Sequence, residues 1–374
     1  RSATTATSSH PPRQAGRALP VGGLGGAPGF LDGHSQTPTL LGQHKNLLDG
    51  VTTPWDLEAG AYPIGAYGEH FRGGAQLNYG SSVGHFAIRI KVMEGIDQPY
   101  LFYRGKVPNA AGDAWIKTAS ADQVEQMRVL VNKGLDEGGL GIGVLLDYMT
   151  AAVSDAELRM LFQVAGTRQV PIFVHVRRGY PGDPAGLVEV IDLARETAAP
   201  LFVCHITHNA MGGISDWLAM IDRANAQGAR IATETLSYAA GGTGISADVF
   251  RRRDWQKIFD ITYEEVQWVA TGEWLTKETW EKYAREQPEG MVNHHYVKED
   301  WMVTALEWPG MMVSTDALPA MDRDILANPN IAGNFSRVLG HYVRDTGVLT
   351  LHEALARMSL LQARWLEQVS PAFS

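Results

Sequence analysis

The 374 residues carry a formal net charge of −9 and are 45% hydrophobic, enough apolar material for one large core or two ordinary domains. Basic residues are scattered through an acidic chain, which argues against nucleic acid and against anionic membrane surfaces and favours a small-molecule ligand. No apolar run of about eighteen residues suggests a transmembrane helix, and the first twenty residues lack the apolar stretch of a signal peptide. The single cysteine, Cys204, excludes an internal disulfide, so a cytoplasmic location is expected.

Residues 1–27 are rich in Ser, Thr, Pro, Gly and Ala without periodicity and read as an extended or disordered arm. From Pro28 onward, short apolar or β-branched runs alternate with helix-period stretches. The runs are "PGFLDGHS", "GVTTPWDLEAG", "LNYGSSVG", "GLGIGVLLDY", "VPIFVHVRR", "APLFVCHITH", "ARIATETLSY" and "MMVSTDALP". Between them lie amphipathic helices with recognisable starts, such as "SDAELRMLFQVAGTRQ" after Ser154 and "DPAGLVEVIDLARETA" after Asp183.

Strand–helix repetition with fully apolar strands implies a parallel sheet covered on both faces. Eight such units predict an α/β fold, a (β/α)8 TIM barrel over residues 28–374, with an open doubly wound sheet as the competing arrangement. Residues 240–310 are too long for a simple βα loop and predict an inserted lid or subdomain between strands seven and eight. Within it, "ITYEEVQWVATGEWLTKETWEKYAREQPEGMVNHHYVKEDW" alone holds four of the ten tryptophans. Such aromatic residues suit either a cover over an apolar acyl chain or a contact in a homo-oligomer.

In a parallel barrel the functional groups sit at the carboxyl ends of the strands. Strand one ends with Asp32, His34 and Gln36, strand two with Asp56 and Glu58, and strand five with His175 and Arg177. Strand six ends with His205 and His208, strand seven with Glu234 and Tyr238, and strand eight with Asp316. A lone histidine ending an apolar strand is ordinarily a hydrogen-bonded structural group. Three at corresponding strand ends, with an acid ending strand eight, instead form a donor set suited to zinc. His294 and His295 fall in the insertion and read as lid surface.

The ordered motifs "PGFLDGHS", "DGVTT", "GLGIG", "FVHVR", "CHITH", "TETLSY" and "STDALP", with the final helix "LTLHEALARMSLLQARWLE", resemble the amidohydrolase superfamily. Within it they are similar to the N-acyl-D-amino-acid deacylases, the D-glutamate deacylase-like branch in particular. The resemblance implies a zinc-dependent hydrolase acting on a C–N bond other than a peptide bond, a D-aminoacylase-like deacylase. His34 and Asp316 would belong to a first metal position and His175 and His205 to a second. Glu58 would stand in for a bridging cysteine. Asp316 would act as general base and acid for a zinc-bound hydroxide, and Arg177, His208 and Tyr238 would contact the substrate.

Three departures qualify what the resemblance implies. The family's Asp-x-His-x-His motif reads Asp32-Gly33-His34-Ser35-Gln36 here, and an amide oxygen is a poor zinc ligand. One tightly held Zn2+ is therefore expected. The family's His-Pro-Arg run after the strand-eight acid is replaced by "NPN", Asn328 to Asn330. The sequence also reaches "QVSPAFS" before the closing strands of the family's small β-sandwich, which is expected to be incomplete or absent. These losses define an alternative: an amidohydrolase-fold protein with a damaged metal site that binds an acylated amino acid or pathway intermediate without hydrolysing it, or does different chemistry on it.

Overall fold

A computed structural model describes residues 25–370 except 38, 106–107, 109, 253 and 320–327. Most of the arm expected over 1–27 lies outside the described residues. Every one of the eight quoted runs holds a barrel strand. In chain order these are β1 (Phe30–Asp32), β2 (Val51–Ala61), β3 (Gly80–Gly84), β4 (Ile142–Leu145), β5 (Ile172–His175), β6 (Leu201–Val203) and β7 (Ile231–Thr235).

After β7 the chain leaves the barrel and forms β8 (Ala240–Gly244), β9 (Val266–Trp268), β10 (Glu273–Trp274) and β11 (Met291–His295). It then returns as β12 (Met312–Val313). The barrel sheet runs β1-β2-β3-β4-β5-β6-β7-β12 with every neighbour parallel. Its two edges approach beyond β1 and β12, where Ser35 and Ala317 form a parallel bridge. Asp32 ties this seam, accepting from the Thr315 backbone N at 3.1 Å and the Thr315 hydroxyl at 2.6 Å. The expected α/β TIM barrel is thus nearly closed, and the open sheet is excluded.

The helices between strands form where the sequence carries caps. Ser154 accepts from the Glu157 backbone N at the start of helix 155–168, and Asp183 accepts from Ala185 N at the start of helix 185–197. Their apolar faces pack on Val83, Ile142, Val144, Ile172 and Val174 of the outer barrel wall. The inward residues alternate with these. Phe173, Phe202, Ala232 and Met312 fill the barrel with Leu57 and Leu366, the last from helix 361–369, which closes the amino-terminal end. Gln362 of that helix accepts from Gly33 N at 3.0 Å and donates to Val313 O at 2.6 Å, bonding both seam strands.

Between β7 and β12 a four-stranded antiparallel sheet, order β10-β9-β11-β8, stands over the carboxyl face of the barrel. Among the described residues of this segment, Phe250, Trp255, Phe259, Trp268, Trp280 and Tyr296 share one apolar cluster. These six aromatic residues are therefore core rather than exposed cover.

Candidate metal centre and substrate pocket

Inward alternation along β5 puts His175 on the same face as Phe173, directly above the barrel filling. His205 follows the end of β6, where alternation would turn it outward with Val203. Its left-handed backbone, φ 32°, re-aims the ring into the barrel mouth instead. Asp316, just beyond β12, is also left-handed, φ 48°. Two non-glycine residues in that region at one mouth are backbone strain concentrated at a site.

Glu58, near the end of β2, is the hub. Its Oε1 meets His175 Nδ1 at 3.0 Å and His205 Nε2 at 2.9 Å, and those two nitrogens lie 3.0 Å apart. Its Oε2 meets His34 Nε2 at 2.9 Å and accepts from Gln36 Nε2 at 3.1 Å. Asp316 Oδ1 lies 3.2 Å from the same His34 nitrogen. The other face of His34 donates from Nδ1 to Glu234 Oε1 at 2.6 Å, while Glu234 Oε2 accepts from the Ser314 hydroxyl.

The five residues named as candidate ligands, His34, Glu58, His175, His205 and Asp316, therefore converge, and all but Asp316 are buried. Burial opposes ionisation of Glu58, yet the imidazoles around it hold its carboxyl well below the usual range. Burial likewise disfavours charge on His34, but Glu58, Asp316 and Glu234 outweigh it and raise its proton affinity. Asp32, sealed beneath, is pushed up to about 7 by burial and serves the seam rather than the mouth.

This donor set fits a divalent cation. Two imidazole nitrogens 3.0 Å apart, facing one carboxylate oxygen, cannot both direct an N–H along their shared edge. Two nitrogens and an oxygen are the ligands zinc takes. Donor atoms of His34, Glu58 and His205 all lie within 4.8 Å of one another.

Two joined cavities open on the cluster. The outer one, about 90 Å³, has an apolar lining that includes Leu101, Phe102, Pro108, Trp115, Leu145 and Met291. The deep one, about 30 Å³, is lined by polar groups including Asp147, Arg178, His208, His294 and Tyr296. His175, His205, Asp316, Tyr148, Gly242 and Thr243 line both, so the cluster sits at their junction.

The candidate substrate contacts fare differently. His208 lines the deep cavity. Arg177 lines neither; its guanidinium pairs with Glu189 and donates to the carbonyls of Thr150, at 3.1 Å, and Val153, at 2.6 Å. The arginine at the site is its neighbour Arg178, because β5 stops at His175 and the face alternation stops with it. Tyr238 also lines neither cavity and lies under the Arg337 guanidinium, 5.4 Å from its ring centre. His294 is not lid surface. It is buried in the interior strand β11, packed on Phe259 and Tyr296, and a Cβ on Gly241 would come within 2.8 Å of its ring. Only its neighbour His295 faces out.

No family model matches the chain. Two characterised proteins of Alcaligenes xylosoxydans xylosoxydans do resemble it along most of its length. A D-aminoacylase is 25% identical over 385 residues, covering 92% of this chain and 74% of its own length. An N-acyl-D-glutamate deacylase is 27% identical over 357 residues, covering 91% of this chain. These likenesses support a divergent relation to their amidohydrolase family. It spans 64% of that second relative's length.

Solved structures show the same amidohydrolase fold. The Bordetella bronchiseptica N-acyl-D-glutamate deacylase, complexed with zinc and a phosphonate mimic of the tetrahedral intermediate, superposes with a TM-score of 0.70. It is 22% identical and covers 91% of this chain and 75% of that one. A D-aminoacylase with a binuclear metal centre, in which one metal activates and a second attenuates, gives a TM-score of 0.70 at 21% identity. That match covers 92% of this chain and 77% of the other. No helix among the described residues of this chain is long and apolar enough to cross a membrane.

Proposed function

We propose that this amidohydrolase hydrolyses the amide bond of a small N-acyl-D-amino acid, of the D-glutamate type or a related small amide, using one tightly held zinc ion. The observation that carries the reading is the triangle of His175 Nδ1, His205 Nε2 and Glu58 Oε1, with sides of 2.9–3.0 Å. Those three residues would hold the ion, with Asp316 and His34 beside it. The activities of the two Alcaligenes relatives support the substrate class.

A single ion follows from Gln36. Its amide nitrogen donates to Glu58 Oε2 and faces the second half of the cluster with an N–H instead of an imidazole lone pair. When bound, zinc would lower the pKa of a coordinated water to about 7 and polarise the amide carbonyl.

The protein's own groups do the rest. Asp316, the most open carboxylate of the cluster and part of both cavity walls, takes the proton of the attacking water and returns it to the leaving nitrogen. Tyr148, pushed upward by burial, stays protonated and offers its hydroxyl to the carbonyl oxygen as negative charge develops there. Segment 240–310 acts as a lid whose His294 and Tyr296 wall the deep cavity and keep water out. The buried Cys204 suits a reducing compartment such as the cytoplasm.

Amine release from a panel of N-acetyl and N-formyl D-amino acids, with zinc content measured alongside, tests the proposal. Asp316→Asn is expected to lose at least about 100-fold in turnover while keeping its zinc. A wild-type protein holding below about a tenth of an equivalent after zinc addition would sink the hydrolase reading and favour non-hydrolytic binding.

A further inference from the structure

His175 has one nitrogen that the metal cluster does not use. Its Nδ1 faces Glu58 and His205, so as a neutral ligand it carries its proton on Nε2. That Nε2 is buried without a hydrogen-bond partner. The carboxylate facing it is Asp147, whose Oδ2 lies 3.7 Å away, about half an ångström beyond hydrogen-bond reach. The Tyr148 ring stands edge-on to the imidazole, 5.1 Å between centres. A metal-bound imidazole is ordinarily oriented by such an acceptor on its other nitrogen.

Asp147 is itself held from two sides. From the barrel, Arg178 donates its backbone N to Asp147 Oδ1 at 3.0 Å and its Nε to Oδ2 at 3.3 Å. From the insertion, Arg252 donates Nη2 to Asp147 Oδ1 at 2.9 Å, to the Asp147 carbonyl at 2.7 Å and to the Thr150 hydroxyl at 2.6 Å. Its Nη1 reaches the Arg178 carbonyl at 3.3 Å, and Asp248 Oδ2 accepts from Nη2 at 3.1 Å. Arg252 follows helix 248–251, so this one planar fork fastens the insertion to the loops after β4 and β5. Arg178 returns the contact, its guanidinium 5.0 Å from the ring centre of Phe259 and 5.4 Å from that of Tyr296. The carboxylate that faces His175 is therefore the one that receives the lid's arginine, while Arg252 lines neither cavity.

We infer that Asp147 and Arg252 are positioning residues that couple the docked lid to the metal ligand. Arg252 holds the Asp147 carboxylate with Oδ2 toward His175 Nε2, and this fixes the ring that presents Nδ1 to the ion. The inference rests on reading the Glu58 triangle as the metal site. Such coupling is reciprocal: the docked lid tightens zinc, and zinc at the triangle tightens the lid.

Two readouts on chelated protein titrated with zinc test it. Competition with a chromophoric chelator gives the zinc affinity. Hydrogen exchange read by mass spectrometry follows residues 255–296 of the lid, with barrel helix 121–136 as the internal reference. In the wild type, zinc should slow exchange of the lid residues more than that of the reference helix. Arg252→Met keeps the length and removes the charged fork. It should bind zinc about tenfold more weakly, change the visible spectrum of cobalt-substituted protein and lose the zinc-dependent slowing in the lid. Arg252→Lys keeps the charge without the fork and should recover only part of the affinity. Wild-type zinc affinity and cobalt spectrum in Arg252→Met, or in Arg252→Lys should the methionine variant unfold, overturns the coupling. Lid exchange that zinc slows no more than the reference helix in the wild type overturns it too. Either result leaves the metal site standing, whereas a wild type that takes up no zinc overturns site and coupling together.

Discussion

Replacing Glu58 by Gln tests the hub of the site, because the change keeps its volume and removes the one charge shared by three imidazoles. Loss of even an indirect partner of a metal ligand costs 10- to 100-fold in affinity. Losing the carboxylate that faces both His175 and His205 should reach at least the upper end, about 100-fold, which is about 2.8 kcal/mol at 1.4 kcal/mol per tenfold. With zinc at about 100 times the wild-type Kd, ligand linkage stabilises the wild type by about 2.7 kcal/mol. The variant, its Kd raised 100-fold, gains only about 0.4 kcal/mol. At roughly 2 °C per kcal/mol for a chain of this size, zinc should raise the wild-type Tm by about 5 °C and that of Glu58→Gln by about 1 °C. Thermal unfolding of chelated protein with and without zinc reads this directly, each protein serving as its own reference. A Glu58→Gln protein that keeps the full zinc shift and one equivalent of metal would refute the assignment of the triangle.

Other perturbations reach separate parts of the account. Gln36→His replaces the amide donor at Glu58 Oε2 with an imidazole beside His34 and Asp316, and zinc content by mass spectrometry should rise from about one to about two equivalents. Glu234→Gln weakens the acceptor that fixes the His34 ring; cobalt-substituted protein should show an altered visible spectrum and about tenfold weaker metal binding. An unchanged spectrum would make Glu234 merely structural. Asp147→Asn leaves the buried Arg178 without its counter-charge and should destabilise the fold by about 3–5 kcal/mol at pH 7. Burial alone would raise the Asp147 carboxyl, but His175, Arg178 and Arg252 hold it well below the usual range. Its contribution is therefore complete above the unfolded value of about 3.9 and wanes as pH falls toward the lower folded value. Urea unfolding should accordingly show the gap between wild type and variant shrinking below about pH 4, and a gap that does not depend on pH would contradict the ion-pair account.

The barrel was legible because its strands are short, apolar and β-branched, and because capped helices separate them. The convergence of His34, Glu58, His175, His205 and Asp316 followed from one rule, that polar residues at strand ends share the barrel mouth. Where the rule needs a continuing strand it misleads. Arg177 shares parity with His175, yet β5 ends at His175 and the chain turns Arg178 inward instead. The left-handed backbones of His205 and Asp316 leave no mark in composition or spacing, although they decide where both side chains point.

The insertion hid its contribution for a related reason. "NHHY" in a charged, tryptophan-rich segment reads as surface until β11 is known to lie between β9 and β8. Once it does, Val292, His294 and Tyr296 share the inner face and His295 the outer one. That alternation, apolar–x–His–x–Tyr, was the available signal. Gln36 is the opposite case, since its chemistry was visible in the sequence and the structure shows which oxygen of Glu58 it occupies.

The central claim is that one zinc ion, held at the Glu58 triangle, supports amide hydrolysis with Asp316 as the proton carrier. Its most direct test is a titration of chelated protein with zinc while amine release from the best N-acyl-D-amino acid of the panel is followed. The rate is expected to climb linearly and level off at about one equivalent. A protein that binds zinc at the triangle yet releases no amine from any amide at any zinc level would contradict it.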